Sequence, residues 1–216
     1  MSLQALLKAK LLDGLDAMGI ELTTLQHDAL IQYVLLIDKW NKVHNLTAIR
    51  EPLNMVTLHL LDSLSVLKYV QASNAKTLLD VGAGAGLPSI PLAICLPDLQ
   101  VTAIDAVQKK ASFMRQVKGE LQLDNFQVLA GRVELVKPDQ LFDVVISRAF
   151  SDIGLFISLT KHLLKLDGLW LAMKGLIPLQ ELESANVTAS QITVLNVAGL
   201  DAQRHLINIP RAQLAN

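Results

Sequence analysis

The run from Leu78 to Pro88, LLDVGAGAGLP, holds the residues whose types and spacing could do chemistry. Apolar residues lead into a carboxylate, Asp80, and glycines follow at alternate positions, Gly82, Gly84 and Gly86. Strand, glycine turn and helix together let a backbone come close to a nucleotide-like ligand. The dinucleotide fingerprint G-x-G-x-x-G needs a glycine or alanine where Leu87 stands. A carboxylate at the strand end repels a pyrophosphate seated on the helix N-terminus, yet favours a ligand carrying an ammonium or sulfonium. A second acid, Asp105, ends the next apolar run, where a ribose diol can give it two hydrogen bonds. Asp105 suits either cofactor. Asp80 points to S-adenosylmethionine over a nicotinamide cofactor. No G-x-x-x-x-G-K-[ST] occurs, and neither Tyr33 nor Tyr69 has a lysine four residues later, so P-loop and short-chain-dehydrogenase chemistry are excluded.

Strands and helices must alternate to position these groups. LLDV (78–81), VTAID (101–105), FQVLA (126–130), FDVVIS (142–147) and GLWLAMK (168–174) read as strands. Helical stretches separate most of them, among them QKKASFMRQVKGEL and IGLFISLTKHLL. Near-continuous apolar strands of this kind imply a mostly parallel sheet covered on both faces. QITVLNV and HLINIP are close enough to pair as an antiparallel C-terminal hairpin across AGLDAQ. The expected fold is α/β, a Rossmann-like S-adenosylmethionine-dependent methyltransferase domain over 77–216, with an N-terminal helical extension over 1–76. In that extension Leu3, Leu6, Leu7, Leu11, Leu12 and Leu15 make an amphipathic helix broken at Gly19. Thr23 and Gln26 have capping-box spacing, and the helix they open carries Leu30, Tyr33, Val34, Ile37 and Trp40 on one stripe. Pro52 suits the first turn of a third helix.

Composition narrows the class. Of 216 residues 51% are hydrophobic, enough for a sizeable core, and the formal net charge of −1 means that a nucleic acid must be met by a local patch. The single cysteine, Cys95, lies in the apolar run SIPLAICLP with no acid or base beside it, so core packing and a reducing compartment are expected. No apolar stretch approaches the roughly 18 residues that a membrane span needs. A cytoplasmic protein, without a signal peptide and without a membrane partner, is expected.

The fourth strand narrows the acceptor. It ends in Ser147, Arg148, Ala149 and Phe150, where amine methyltransferases usually carry Asn- or Asp-Pro-Pro-aromatic and pyrimidine-carbon enzymes need a cysteine. No base or nucleophile is evident, which fits an acceptor needing no deprotonation. The runs NKVHNLTAIRE, HLLDS, LLDVGAGAGLPSIPLAI, GRVE, FDVVISRAF and LAMKG, in this order, resemble the RsmG (GidB) family. The resemblance covers about residues 33–175, with HLINIP similar to the family's C-terminal strand.

That resemblance implies an S-adenosylmethionine-dependent methyltransferase producing N7-methylguanosine in 16S ribosomal RNA near the decoding centre. It places Gly82 and Leu87 on the methionine and ribose side of the cofactor, Val133 and Glu134 beside the adenine, and Arg148 near cofactor and incoming base. Lys174, ending the fifth strand, is a second candidate near the acceptor, and no residue is assigned to catalysis with certainty. Rival readings are a methyltransferase of the same fold acting on a small molecule or protein, and a catalytically idle cofactor-binding assembly factor.

Other polar residues carry plainer expectations. His59 and Asp62, at i and i+3, share a helix face and are expected as a hydrogen-bonded pair docking the N-terminal helices; no metal site is expected. Asn41 and Asn45 are read as either contacting RNA or ending their helix, the second being preferred. Two basic clusters are candidates for RNA: Lys39, Lys42 and Arg50, and Lys109, Lys110, Arg115 and Lys118. So few phosphate contacts imply modest, salt-sensitive affinity, with the small subunit or a late precursor as substrate. No long heptad suggests a coiled coil, and a monomer is expected.

Overall fold

The computed structural model describes residues 2–137, 139–148, 150, 152–187 and 191–214; Ala149 of the S-R-A-F run lies outside them. Two helices open the chain, α1 (Leu3–Met18) and α2 (Thr24–His44). Gly19 ends α1 at φ 63°, a left-handed position that glycine occupies without steric cost. The capping box is formed: Gln26 N–H donates to Thr23 Oγ1 at 3.3 Å and Thr23 N–H to Gln26 Oε1 at 2.9 Å. The segment entered at Pro52 is not one regular helix. A first turn, α3 (Pro52–Met55), runs into a π-helical stretch, Val56–Leu61, and then α4 (Asp62–Leu64) and α5 (Leu67–Ala72).

Among the described residues seven strands follow: β1 (Thr77–Val81), β2 (Gln100–Asp105), β3 (Phe126–Ala130), β4 (Phe142–Ser147), β5 (Leu164–Lys174), β6 (Gln191–Val194) and β7 (His205–Pro210). The sheet order is β3-β2-β1-β4-β5-β7-β6. The first five strands are parallel, and β7 runs antiparallel between β5 and β6, the hairpin expected from QITVLNV and HLINIP. The intervening helices are α6 (Ser89–Cys95), α7 (Gln108–Leu121), α8 (Ile153–Thr160) and α9 (Leu179–Ser184). Chain order reverses between β1 and β4, so the crevice at their carboxyl ends is where such a sheet binds ligands.

One boundary differs from the sequence reading. The helix after β4 stops at Thr160, and β5 begins at Leu164 instead of Gly168. The early residues pair with β4 across a register shift near Phe142. Gly168 permits this, because a Cβ there would lie 2.8 Å from the Asp143 carbonyl oxygen.

The sheet is covered on both faces. One core joins Leu7, Leu11, Tyr33, Ile37 and Leu60 to Leu78, Ile90 and Phe113; the other packs Phe156 and Trp170 against Leu79, Val145 and Ile207. The N-terminal helices thus share the first core with the strands. Cys95 is part of it, and burial pushes its thiol up to about 12, leaving no thiolate for chemistry.

Candidate cofactor and acceptor sites

The glycine turn is built from beneath. Asp80 ends the interior of β1 fully buried, and its Oδ2 accepts from Ser89 N–H at 3.1 Å, tying the strand to the start of α6. Asp80 Oδ1, also buried, has no hydrogen-bond partner. Burial pushes the Asp80 carboxyl up to about 6, against the bond from Ser89 and the charge of Arg148. Tyr33 of α2 reaches under the loop, where its hydroxyl donates to the Ala85 carbonyl at 2.7 Å. Gly82, at φ 72°, has no atom within 4 Å of the place a Cβ would occupy, so the backbone surface there is open to a ligand.

Asp105, at the end of β2, links the turn to the next helix. Its Oδ2 accepts from Gly84 N–H and its Oδ1 from Val107 N–H, both at 2.8 Å. A cavity of about 240 Å³ opens between Val81, Gly82, Asp105, Val133, Glu134 and Phe150. Four residues singled out in the sequence, Gly82, Asp105, Val133 and Glu134, therefore meet around one space. Asp80, Gly84, Gly86 and Leu87 do not line it. Leu87 is buried in the first core, and Gly86, at φ 89°, lies against Ile90.

Those residues fit a nucleoside bearing a cationic end. The cavity has an apolar wall in Val81, Val133 and Phe150 for a flat base, Asp105 for a diol, and an open glycine for close approach. Asp80 adds a negative potential behind the turn without touching the cavity.

A second cavity, of about 490 Å³, lies at the ends of β4 and β5. Arg148 and Lys174 line it, with Thr47–Ile49, His59, Asp62 and Arg204. Asp62 organises it. This carboxylate, 3% exposed, takes Arg148 Nη1 on Oδ2 at 3.1 Å and Arg204 Nε on Oδ1 at 2.9 Å. The expected His59–Asp62 pair does not form, because the π-helical turn replaces the regular i, i+3 geometry. His59 Nε2 instead meets Thr47 Oγ1 at 2.9 Å. Burial, and then the charge of Arg148, lower His59 to about 4, so it is neutral at pH 7. Asp62 does the docking expected of the pair without His59, joining the N-terminal helices to Arg148 just after β4 and to Arg204 just before β7.

Lys174 is no solvated rim lysine: its Nζ donates to the Phe150 carbonyl at 3.0 Å and to Glu181 Oε2 at 2.7 Å. Asn45 caps α2 at φ 48°, the helix-ending place expected of it, whereas Asn41, 3% exposed, lies inside α2 and holds the Thr47 N–H and the Ile49 carbonyl of the following loop. Arg50 joins that cap through the Asn41 carbonyl and Asn45 Oδ1, and Lys42 pairs with Asp38. Lys39, Lys109 and Arg115 are exposed. The two basic clusters sit on or beside adjoining helices, since Trp40 Nε1 of α2 donates to Gln116 Oε1 of α7 at 2.9 Å. Arg204 and the Thr47–Ile49 wall were missed in the sequence. Arg204 lies 142 residues from its carboxylate, and no local pattern marks it.

The fold is that of methyltransferases. A putative caffeoyl-CoA O-methyltransferase from Staphylococcus aureus superposes with a TM-score of 0.59 at 15% identity, covering 94% of this chain and 98% of that one. The O-methyltransferase from Bacillus cereus, solved in complex with SAH, gives 0.58 at 16% identity over 91% and 94%. The sequence is more specific than the fold. Residues 26–207 match the model of the GidB family, rRNA small subunit methyltransferase G, to which the chain belongs. The ribosomal RNA small subunit methyltransferase G of Methylobacillus flagellatus is 59% identical over 96% of this chain and 100% of that protein.

Proposed function

We propose that this protein transfers the methyl group of S-adenosylmethionine to N7 of a guanine in 16S ribosomal RNA, near the decoding centre of the small subunit. The observation that carries this reading is a pair of cavities at the strand ends, linked by the bond from Lys174, which lines one, to the carbonyl of Phe150, which lines the other. One suits a nucleoside, and the other carries Arg148, Arg204 and Lys174 against Asp62 and Glu181. Three cations against two carboxylates leave a surplus positive charge for the phosphate of a target nucleotide.

Bound S-adenosylmethionine supplies a methyl group on a sulfonium, an electrophile that a free lone pair can attack. Guanine N7 has such a lone pair, so a general base is not required, in keeping with the neutral, low-pKa His59. The protein's residues act by placement: Asp105 and the 133–134 turn orient the nucleoside, the open Gly82 backbone admits its charged end, and Asp80 favours the cation. The arginines that Asp62 fixes hold the acceptor. Such alignment can supply roughly 7–11 kcal/mol of the barrier in favourable cases. We place the enzyme in the cytoplasm as a monomer, acting on the assembled subunit or a late precursor; among the described residues no helix is long and apolar enough to cross a membrane.

The test is incubation of labelled S-adenosylmethionine with small subunits from cells lacking the enzyme, then nucleoside digestion of the 16S RNA. Label in N7-methylguanosine is expected. Label absent from RNA, or found in protein, overturns the reading.

A further inference from the structure

Beside the cationic cavity the chain does something unusual for a surface turn. Leu176, Ile177, Pro178 and Leu179 follow one another directly, and Leu176 is 75%, Ile177 44% and Leu179 62% exposed. Scattered exposed leucines need no explanation, but a consecutive apolar run held in water has one only when it meets something. Turn tips ordinarily carry Gly, Asn, Asp or Ser.

The base of this tip is fixed on every side. Gly175 lines the cationic cavity, and its carbonyl accepts from the His205 ring at 2.8 Å. Just before it, Lys174 is held by the Phe150 carbonyl and Glu181. Just after it, α9 is pinned by Leu182, buried in the second core, and by Glu181, which also accepts from Ile153 N–H at 2.9 Å. The ordering entropy of the loop's two ends is therefore met within the folded protein, and the apolar side chains stand out from a rigid mount.

We infer that the Leu176–Leu179 tip is a nucleobase contact: its side chains pack on, or wedge between, the bases flanking the target guanine. This deepens the ribosomal RNA reading and rests on it. The occupant is argued from position. The tip continues the rim of a cavity whose surplus charge suits phosphate, so what lies beyond that phosphate is a base. Leu, Ile and Pro are residue types that proteins insert between base steps, and a base taken out of its stack leaves neighbours with exposed faces.

The experiment has two arms in the full-length protein. Leu176→Ser with Ile177→Ser should leave thermal stability and S-adenosylmethionine binding unchanged and raise the KM for small subunits at least tenfold. An unchanged KM, or parallel loss of cofactor binding and stability, overturns the inference. In the second arm Leu176→Cys is labelled with a photo-crosslinker, Cys95 being buried, and irradiated on the subunit. Crosslinks to 16S RNA beside the methylated guanine are expected, and crosslinks confined to ribosomal proteins overturn it in favour of a protein contact. Failure of the broader reading is distinct, because the unmodified enzyme would then place no methyl group in RNA.

Discussion

Asp80 and His59 are buried ionisable groups with opposite habits. The carboxyl of Asp80 is raised to about 6 by burial, so the protein without cofactor takes up a proton there as pH falls through that value. A cationic ligand across the glycine turn favours the ionised form, and binding therefore releases the proton. Affinity for S-adenosylmethionine is expected to rise with pH up to about 6 and level off above 7, with up to roughly tenfold per unit on the slope. Asp80→Asn is expected to bind about tenfold more weakly, corresponding to roughly 1.4 kcal/mol, with no such slope. Calorimetric titration at several pH values measures both, and an unaltered slope in the variant would exclude Asp80 as the group responsible.

Stability carries the same signature with a definite sign. The Asp80 value is raised above 3.8, so the folded state binds its proton more readily and stability falls as pH rises from 3.8 to about 6. His59 is lowered from 6.5 to about 4, so the unfolded state binds the proton more readily and stability falls as pH drops through that window. Each effect is worth on the order of 3 kcal/mol, and over most of the shared range they oppose one another. Asp80→Asn leaves His59 uncompensated. Its melting temperature should therefore drop more steeply than that of the unmodified protein between pH 6.5 and 4.5; parallel curves would contradict the assignment.

Among the elements, the irregular helix from Pro52 to Leu64 matters most. Its π-helical turn separates His59 from Asp62 and lets one carboxylate meet Arg148, just after β4, and Arg204, just before β7. Asp62→Ala leaves two guanidiniums without that partner. Both arginine side chains are about a quarter exposed, so water offsets part of the loss and the expected destabilisation is about 2 kcal/mol rather than the 3–5 of a fully buried pair. S-adenosylmethionine binding should persist in Asp62→Asn while methylation of small subunits falls at least tenfold. Equal loss of both would make Asp62 a folding residue only.

This helix also marks how far the sequence could be read. The cofactor side was legible because its signals are local: glycines at alternate positions, acids at two strand ends, apolar runs of strand length. The acceptor side was not. Arg148 and Lys174 were visible as strand-end cations, but nothing local said that His59 would turn to Thr47 or that Arg204 would return to Asp62. Leu87, which the family resemblance put on the methionine and ribose side of the cofactor, has its side chain packed in the core.

For the whole molecule, the decisive fact is the core that α1 and α2 share with β1, α6 and α7. A fragment starting at residue 77 would uncover Leu78, Ile90, Leu92 and Phe113, all fully buried in the intact chain, and would lose the Tyr33 hydroxyl under the glycine turn and Asp62 at the acceptor cavity. Uncovering one such side chain costs about 1.5–3 kcal/mol, so four of them cost about 6–12 kcal/mol, comparable to the roughly 5–15 kcal/mol by which a domain is stable. The fragment is expected to lack a cooperative thermal transition and to bind no S-adenosylmethionine; a cooperative melt with intact binding would show that the catalytic sheet folds alone. The exposed basic residues make a different demand, because α2 and α7 touch through Trp40 and Gln116 and present Lys39 and Lys109 on adjoining helices. Reversing the exposed Lys39 and Lys109 to Glu should therefore weaken activity on ribosomal particles, most at raised salt, and leave the melting temperature and cofactor affinity within error; Lys110 is left in place because it pairs with Asp105 at 3.8 Å. Undiminished activity at every salt concentration would remove this face from the RNA interface.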